Sequence, residues 1–267
     1  MNHPLSPASL SGAQVCFAVA SHLLYVEPTA EDLALSVAAD QFARAPFAAD
    51  DPIAAEGLAF MARWCAHARA AAAAEMGEAS LARPCADDDE AAQARQARLL
   101  TESAAFIEAV GDVRREWLRL FAGVGAPEAS CLESFYVEPN RHMFGECTLA
   151  VRAIYRRHGL QIEQVHREPD DHLGLMLGFV SHLIGEEEAA RAAGDEAKAE
   201  ALALEQDRFL ADHVLPWLAA WRYGVARHAT SDYFRGAGDF VFGLVACYVR
   251  RFAIIFDGEA QAFKRKR

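Results

Sequence analysis

Apolar side chains recur at three- and four-residue steps along nearly the whole chain, the spacing of helices with one buried face. Leu10 to Leu24 carries Val15, Val19 and Leu23 in this rhythm, and Pro28 closes the segment. Thr29 with Asp32 three residues on makes an imperfect capping box for a helix running to about Ala43. Pro52 opens a third helix through Ile53, Leu58, Phe60, Met61 and Trp64, with an alanine-rich extension to roughly Glu78. Ala82 to Glu90, holding Pro84 and Asp87-Asp88-Asp89, reads as an exposed loop that ends in a helix start, and one long helix is expected from Ala91 to Phe121. Gly123 to Ser134 is the clearest interruption. Beyond it, Phe144 to His158 is helical, with Gly159 placed as its C-terminal cap. Pro169 begins a helix through the apolar run Leu173 to Leu183 that ends at Gly185, where Glu186-Glu187-Glu188 starts a solvated connection. Helices over Ala197–His213, Trp217–Ala229 and Ser231–Phe256 complete the series, and a basic tail from about residue 258 to Arg267 is expected to be disordered.

This pattern contains no convincing strand pair, internal repeat or glycine-rich phosphate loop. It predicts an all-α chain forming one helical-bundle domain over residues 1–267, with N-terminal helices over 10–121 and a soft division near Gly123 to Ser134. Composition agrees: more than half of the residues are hydrophobic, alanine is abundant and β-branched runs are scarce. A net charge of -12 argues against a general nucleic-acid binder and favours cationic or neutral partners. The six cysteines are scattered without a CxxC pair or histidines at zinc spacing, as expected for core thiols in a reducing compartment. Met1 to Ser11 shows no charged-then-apolar export signal. The best apolar run, Phe240 to Ile255, is broken by Arg250 and Arg251. The chain therefore reads as cytoplasmic and soluble.

The densest candidate chemistry is Glu168-Pro169-Asp170-Asp171-His172. One reading is a charged helix cap, with both aspartates at the positive end of the helix dipole. Another is a metal pair, because Glu168 and His172 fall four apart. Helical di-metal sites, however, pair two Glu-x-x-His motifs, and no second one is evident. Nucleophilic catalysis lacks a G-x-S-x-G elbow, and the adjacent Asp171 and His172 do not face each other on a helix. A third reading is peptide binding. Trp117, Leu120 and Phe121 stand at helical spacing before the glycine-containing break, and Phe135 and Tyr136 follow it. Such a stripe is either core or the wall of a groove for an apolar segment, with Asp171 suited to an arginine.

Taken in order, these elements resemble the TorD/DmsD family of cytoplasmic chaperones dedicated to twin-arginine-exported molybdoenzymes. The E-P-x-D-H hallmark is matched by Glu168, Pro169, Asp171 and His172. Trp117 to Gly123 resembles the aromatic-x-x-L-F-x-G segment, and Ser134-Phe135-Tyr136 the serine-hydrophobic-aromatic turn. Phe144-Gly145, Tyr155 with Gly159, His213-x-x-Pro216-Trp217 and Asp232-Tyr233-Phe234 continue the series. The resemblance covers about residues 115–248, and its order and spacing most resemble the dimethyl sulfoxide reductase branch. Ser130, Cys131 and Leu132 depart from that branch, which often has prolines and a tryptophan there.

The resemblance implies a fold without catalytic activity or cofactor. It implies as partners the twin-arginine signal peptide and the apo catalytic subunit of a molybdopterin oxidoreductase, held until cofactor insertion and export. Contact with the export machinery would be transient. Trp117, Leu120, Phe121 and Tyr136 would receive the leader's apolar region, with Gly123 and Gly145 allowing close approach. Glu168, Asp171 and His172 would orient its basic region, Pro169 fixing the turn. A bracing role for Asp171 and His172 within the fold is an equal alternative. Two further alternatives are a helical metalloenzyme using Glu168 and His172, and a chaperone for a non-exported molybdoenzyme such as a nitrate reductase.

Overall fold

A computed structural model of the chain describes residues 5–86, 89–123, 126–138, 144–162 and 169–266. The N-terminal helices start on the caps their sequences provide. Ser6 accepts from Ser9 N–H to open α1 (Pro7–Tyr25), and Thr29 accepts from Asp32 N–H to open α2 (Ala30–Ala38). Asp51 accepts from Ile53 and Ala54 N–H at the head of α3 (Pro52–Met76), which ends on left-handed Gly77. The second helix stops at Ala38 instead of Ala43, because Asp40 takes a positive φ and the chain tightens into a 3₁₀ turn over Gln41–Ala43.

The single helix expected over 91–121 is divided. Ser103 leaves helical geometry between α4 (Glu90–Glu102) and α5 (Ala104–Trp117), and its hydroxyl caps Phe106 N–H. Glu75 of α3 locks the break by accepting from Ser103 Oγ at 2.6 Å and from the N–H groups of Ala104 and Ala105. A π-helical turn over Leu118–Ala122 ends this stretch.

After the short α6 (Glu133–Val137) come α7 (Glu146–Arg157), closed by Gly159 at φ +70°, and α8 (Leu173–Ala192). The last of these runs past Gly185, because Glu187 faces inward and is fully buried. Burial would raise its carboxyl, but Arg251, Arg191 and Gln206 on its oxygens hold it below the ordinary carboxylate range. Next follow α9 (Glu196–Phe209), a second π-helical turn over Leu210–Val214, α10 (Leu215–His228) and α11 (Asp232–Tyr248).

The final helix does not continue to Phe256, and the tail is not disordered where it is described. Ile254–Asp257 (β1) pairs antiparallel with Ala262–Arg265 (β2), placing Phe256 opposite Phe263. Those two rings pack on Phe242 of α11, and Arg265 reaches Asp207 of α9 at 2.8 Å, so the hairpin has both an apolar anchor and an ionic one.

Two close helix pairs form the core. The α3–α11 pair meets backbone to backbone: a Cβ on Gly236 would lie 2.4 Å from the Gly57 carbonyl oxygen. The α1–α8 pair relies on Gly174 and Gly178, which lie against Ser21 and Tyr25 of α1. All six cysteines are free thiols, with Cys16, Cys65 and Cys131 buried.

Candidate functional site

The turn ahead of α8 is built differently from the expected helix cap. The helix begins at Leu173, and His172 is its N-cap, with Nδ1 accepting from Gly174 N–H at 3.1 Å. Pro169, Asp170 and Asp171 therefore precede the helix, and all three are buried. Asp171 serves another element. Its carboxylate accepts from Ser134 N–H of α6 at 2.9 Å and from the Thr148 hydroxyl of α7 at 2.6 Å. Backbone pairing reinforces the union: Glu133 N–H donates to Asp171 O, Leu173 N–H donates to Cys131 O, and Leu132 bridges His172 antiparallel. Asp170 completes the brace with an ion pair to Arg152 at 2.7 Å, and its carbonyl accepts from Tyr155 Oη–H.

The imidazole of His172 lies edge-on to Tyr25 of α1, with ring centroids 5.5 Å apart. Burial pushes its pKa down to about 4 against the opposing pull of Asp171, so the ring is neutral at physiological pH. A neutral ring with Nδ1 accepting a backbone N–H is a positioning group, not a source of charge.

A second polar contact joins α6 to the π-helical turn before α10. Glu133, nearly enclosed, faces His213 Nδ1 with carboxylate oxygens at 3.1 and 3.2 Å. Burial raises its carboxyl above the ordinary range, with His213 opposing the shift. Trp217 N–H donates to His213 O at 2.6 Å, and Tyr136 stacks on Trp217 with centroids 5.0 Å apart. Val137 of α6, next to Tyr136 in the chain, and Leu149 of α7 are exposed. Gly145 starts α7, where a Cβ would lie 2.4 Å from the Glu138 carboxylate that accepts from Cys147 N–H.

The residues singled out by sequence thus fall into two groups. Pro169, Asp171, His172, Tyr136 and Gly145 lie on the connected elements α6, α7 and the turn before α8. Trp117, Leu120 and Phe121 are buried core. Trp117 N–H donates to Leu24 O, and Phe121 packs on Trp221 and Phe234. Gly123 follows the first π-helical turn, with no room for a Cβ beside Leu118 O. Trp217 and Trp221, one turn apart on α10, link the two groups. Glu168 lies outside the described residues, so its pairing with His172 is not described. Among the described residues, no cluster of three or more His, Cys, Asp or Glu side chains is arranged to hold a metal ion.

Glu133, Thr148 and Arg152 went unnoticed in the sequence. Glu133 carried a signal, since it adjoins the serine-aromatic turn and its partner His213 opens the H-x-x-P-W step. Thr148 and Arg152 sit on α7 with no local mark of their role.

The sequence profile of the nitrate reductase delta subunit family matches residues 86–222. The chain belongs to this family. TorD chaperones fall within the same family. The chain is 29% identical over 122 residues to the Tat proofreading chaperone DmsD of Salmonella typhimurium, covering 46% of this chain and 53% of that protein. It is 27% identical over 104 residues to the chaperone protein TorD of Vibrio vulnificus, covering 39% and 47%. A probable Tat proofreading chaperone DmsD of Haemophilus influenzae is 24% identical over 124 residues, covering 46% and 54%. The chain spans about half the length of these curated relatives. No helix among the described residues is long and apolar enough to cross a membrane.

Proposed function

We propose that the protein is a cytoplasmic, non-enzymatic chaperone for the catalytic subunit of a molybdopterin oxidoreductase of the dimethyl sulfoxide reductase type. It binds the subunit's twin-arginine signal peptide and holds it until the cofactor is inserted and export can proceed. The observation that carries this reading is that the motif residues Tyr136, Gly145, Asp171, His172 and His213, scattered in the chain, meet in one braced region. Asp171, His172, Glu133 and His213 are spent holding α6, α7, α8 and α10 together. Trp217 itself is buried, and what α6 and α7 leave open is part of the Tyr136 ring that stacks on it, together with the exposed side chains of Val137 and Leu149. Asp171 is a positioning residue in this reading, because both its carboxylate oxygens already accept hydrogen bonds.

The test is a titration of labelled twin-arginine leader peptide with the full chain. Tyr136→Ala should weaken binding roughly tenfold, the effect of losing one stacked aromatic anchor, while leaving the fold intact. Leader affinity unchanged in a folded Tyr136→Ala variant would remove this surface from the proposal. A second reading has a specific support in the family's description: the client is a nitrate reductase that is not exported. Co-purification decides between them, since a client without a twin-arginine leader favours the nitrate reductase assignment.

A further inference from the structure

The leader's apolar run needs an apolar surface, and Trp117, Leu120 and Phe121 cannot supply one because the core encloses them. The open apolar surface lies elsewhere. A cavity of about 620 Å³ runs between α1, the 3₁₀ turn after α2 and the floor made by Leu58 of α3 and Phe240 of α11. A second cavity of about 300 Å³ continues along α1 to Val26 and Pro28, and the two share Val19, Gln41 and Phe42. Together they form one channel. Its α1 wall is a stripe of exposed valines: Val15 is 49% exposed, Val19 37% and Val26 36%.

Building on the chaperone reading above, we infer that this channel receives the apolar segment of the twin-arginine leader. Three observations select that occupant. Val15 to Val26 spans eleven helical rises, about 17 Å, and an apolar leader region of about 7–15 residues spans a similar length when helical. The charged side chains between Val15 and Pro46 are Glu27, Glu31, Asp32, Asp40 and a single cation, Arg44. Asp40 is engaged with Arg69 and Glu27 with Arg114, yet the balance still favours a cationic flank over an anionic one. The channel also ends beside the last turn of α1, whose Tyr25 touches His172. The end of the channel at Val26 and Pro28 therefore adjoins the helix turn that packs on His172 of the braced turn. The thiol of Cys16, in the channel wall, is pushed up to about 11 by burial and is uncharged, in keeping with an apolar lining.

The probe is a fluorescein-labelled synthetic peptide with two adjacent arginines followed by an apolar run of about a dozen residues, titrated with the full chain and followed by anisotropy. Val15→Glu with Val19→Glu places two charges on exposed positions, so the fold should stand, which circular dichroism and the melting temperature verify. Binding should weaken roughly tenfold or more. Tyr223→Ala, at a still more exposed side chain on α10, should bind as the unaltered protein does. A photoreactive group in the apolar run of the same peptide should cross-link the unaltered protein within Val15–Pro46. Unchanged affinity in the double variant, or cross-links confined to α6 and α7, would overturn the channel while leaving the chaperone reading in place. Failure of the unaltered protein to bind the peptide at all would overturn both.

Discussion

The braced turn at Asp171 and the channel along α1 differ in what they bury. Around Asp171, charged and polar groups are enclosed and each is matched: carboxylate to backbone N–H and hydroxyl, aspartate to arginine, glutamate to histidine. Along α1, apolar side chains are left open and unmatched. A buried carboxylate tolerates few substitutes, because each lost partner leaves a costly unsatisfied group, whereas an apolar wall asks only for size and shape. Rigidity therefore belongs to the first region and adaptability to the second. A carrier for leaders of varied sequence would need both.

The comparison is broken most severely at the channel floor. Gly236→Ala drives a Cβ into the Gly57 carbonyl and the Met61 side chain, and the two backbones have no slack to give. It should cost about 3 kcal/mol or more, measured by urea denaturation, and it should abolish leader binding with the floor. Asp171→Ala comes next. It strands Ser134 N–H and the Thr148 hydroxyl in a buried site, for a loss of about 2 kcal/mol. Its leader affinity should fall only through the loosening of α6, so a stabilising osmolyte should restore it. A folded variant of native stability would show that the brace is not mechanical.

A pH series sharpens the contrast further. His172 is neutral in the fold with a pKa near 4, against an ordinary value of 6.5. Its contribution is fully present above pH 6.5 and is lost as pH falls towards 4, because the unfolded chain takes up the proton first. Glu133, raised by burial, acts in the opposite sense: its contribution is present at low pH and declines as pH rises above the ordinary carboxylate range. His172→Asn keeps an N-cap acceptor and should flatten the loss between pH 6.5 and 4, read from the denaturation midpoint. An undiminished slope would place the titrating group elsewhere. The smallest effect on stability belongs to the channel wall, where Val15→Ser should shift unfolding by less than about 0.5 kcal/mol.

These contrasts also explain what the chain disclosed of itself. The helix starts at Thr29 and Pro52 and the stop at Gly159 were readable because helix ends demand particular residue types, whereas the caps at Ser6, Asp51 and Gly77 were passed over. The break at Ser103 was not readable, since a serine between helical stretches gains its meaning from Glu75, 28 residues away in the chain. The C-terminal hairpin had a local sign, Asp257-Gly258 between two short apolar runs, hidden because Phe240 to Ile255 continued the helical rhythm. At the site, Asp171 and His172 stood out in the sequence by their motif. Their placement ahead of the helix, and their service to α6 and α7, depend on contacts that no spacing rule contains. The channel left no motif because an exposed valine stripe is indistinguishable from a buried one by period alone.

The unpaired cysteines carry a practical consequence. Burial raises the thiols of Cys16, Cys65, Cys131 and Cys147 far above neutrality, so each holds its proton in the native fold. A disulfide-exchange dye that consumes only thiolate would reach the buried Cys16, Cys65 and Cys131 only when the chain opens, after any reaction at the partly exposed Cys85, Cys147 and Cys247. The colour it develops would then time the opening of the core itself, giving the protein an intrinsic clock for its own unfolding that needs no introduced label.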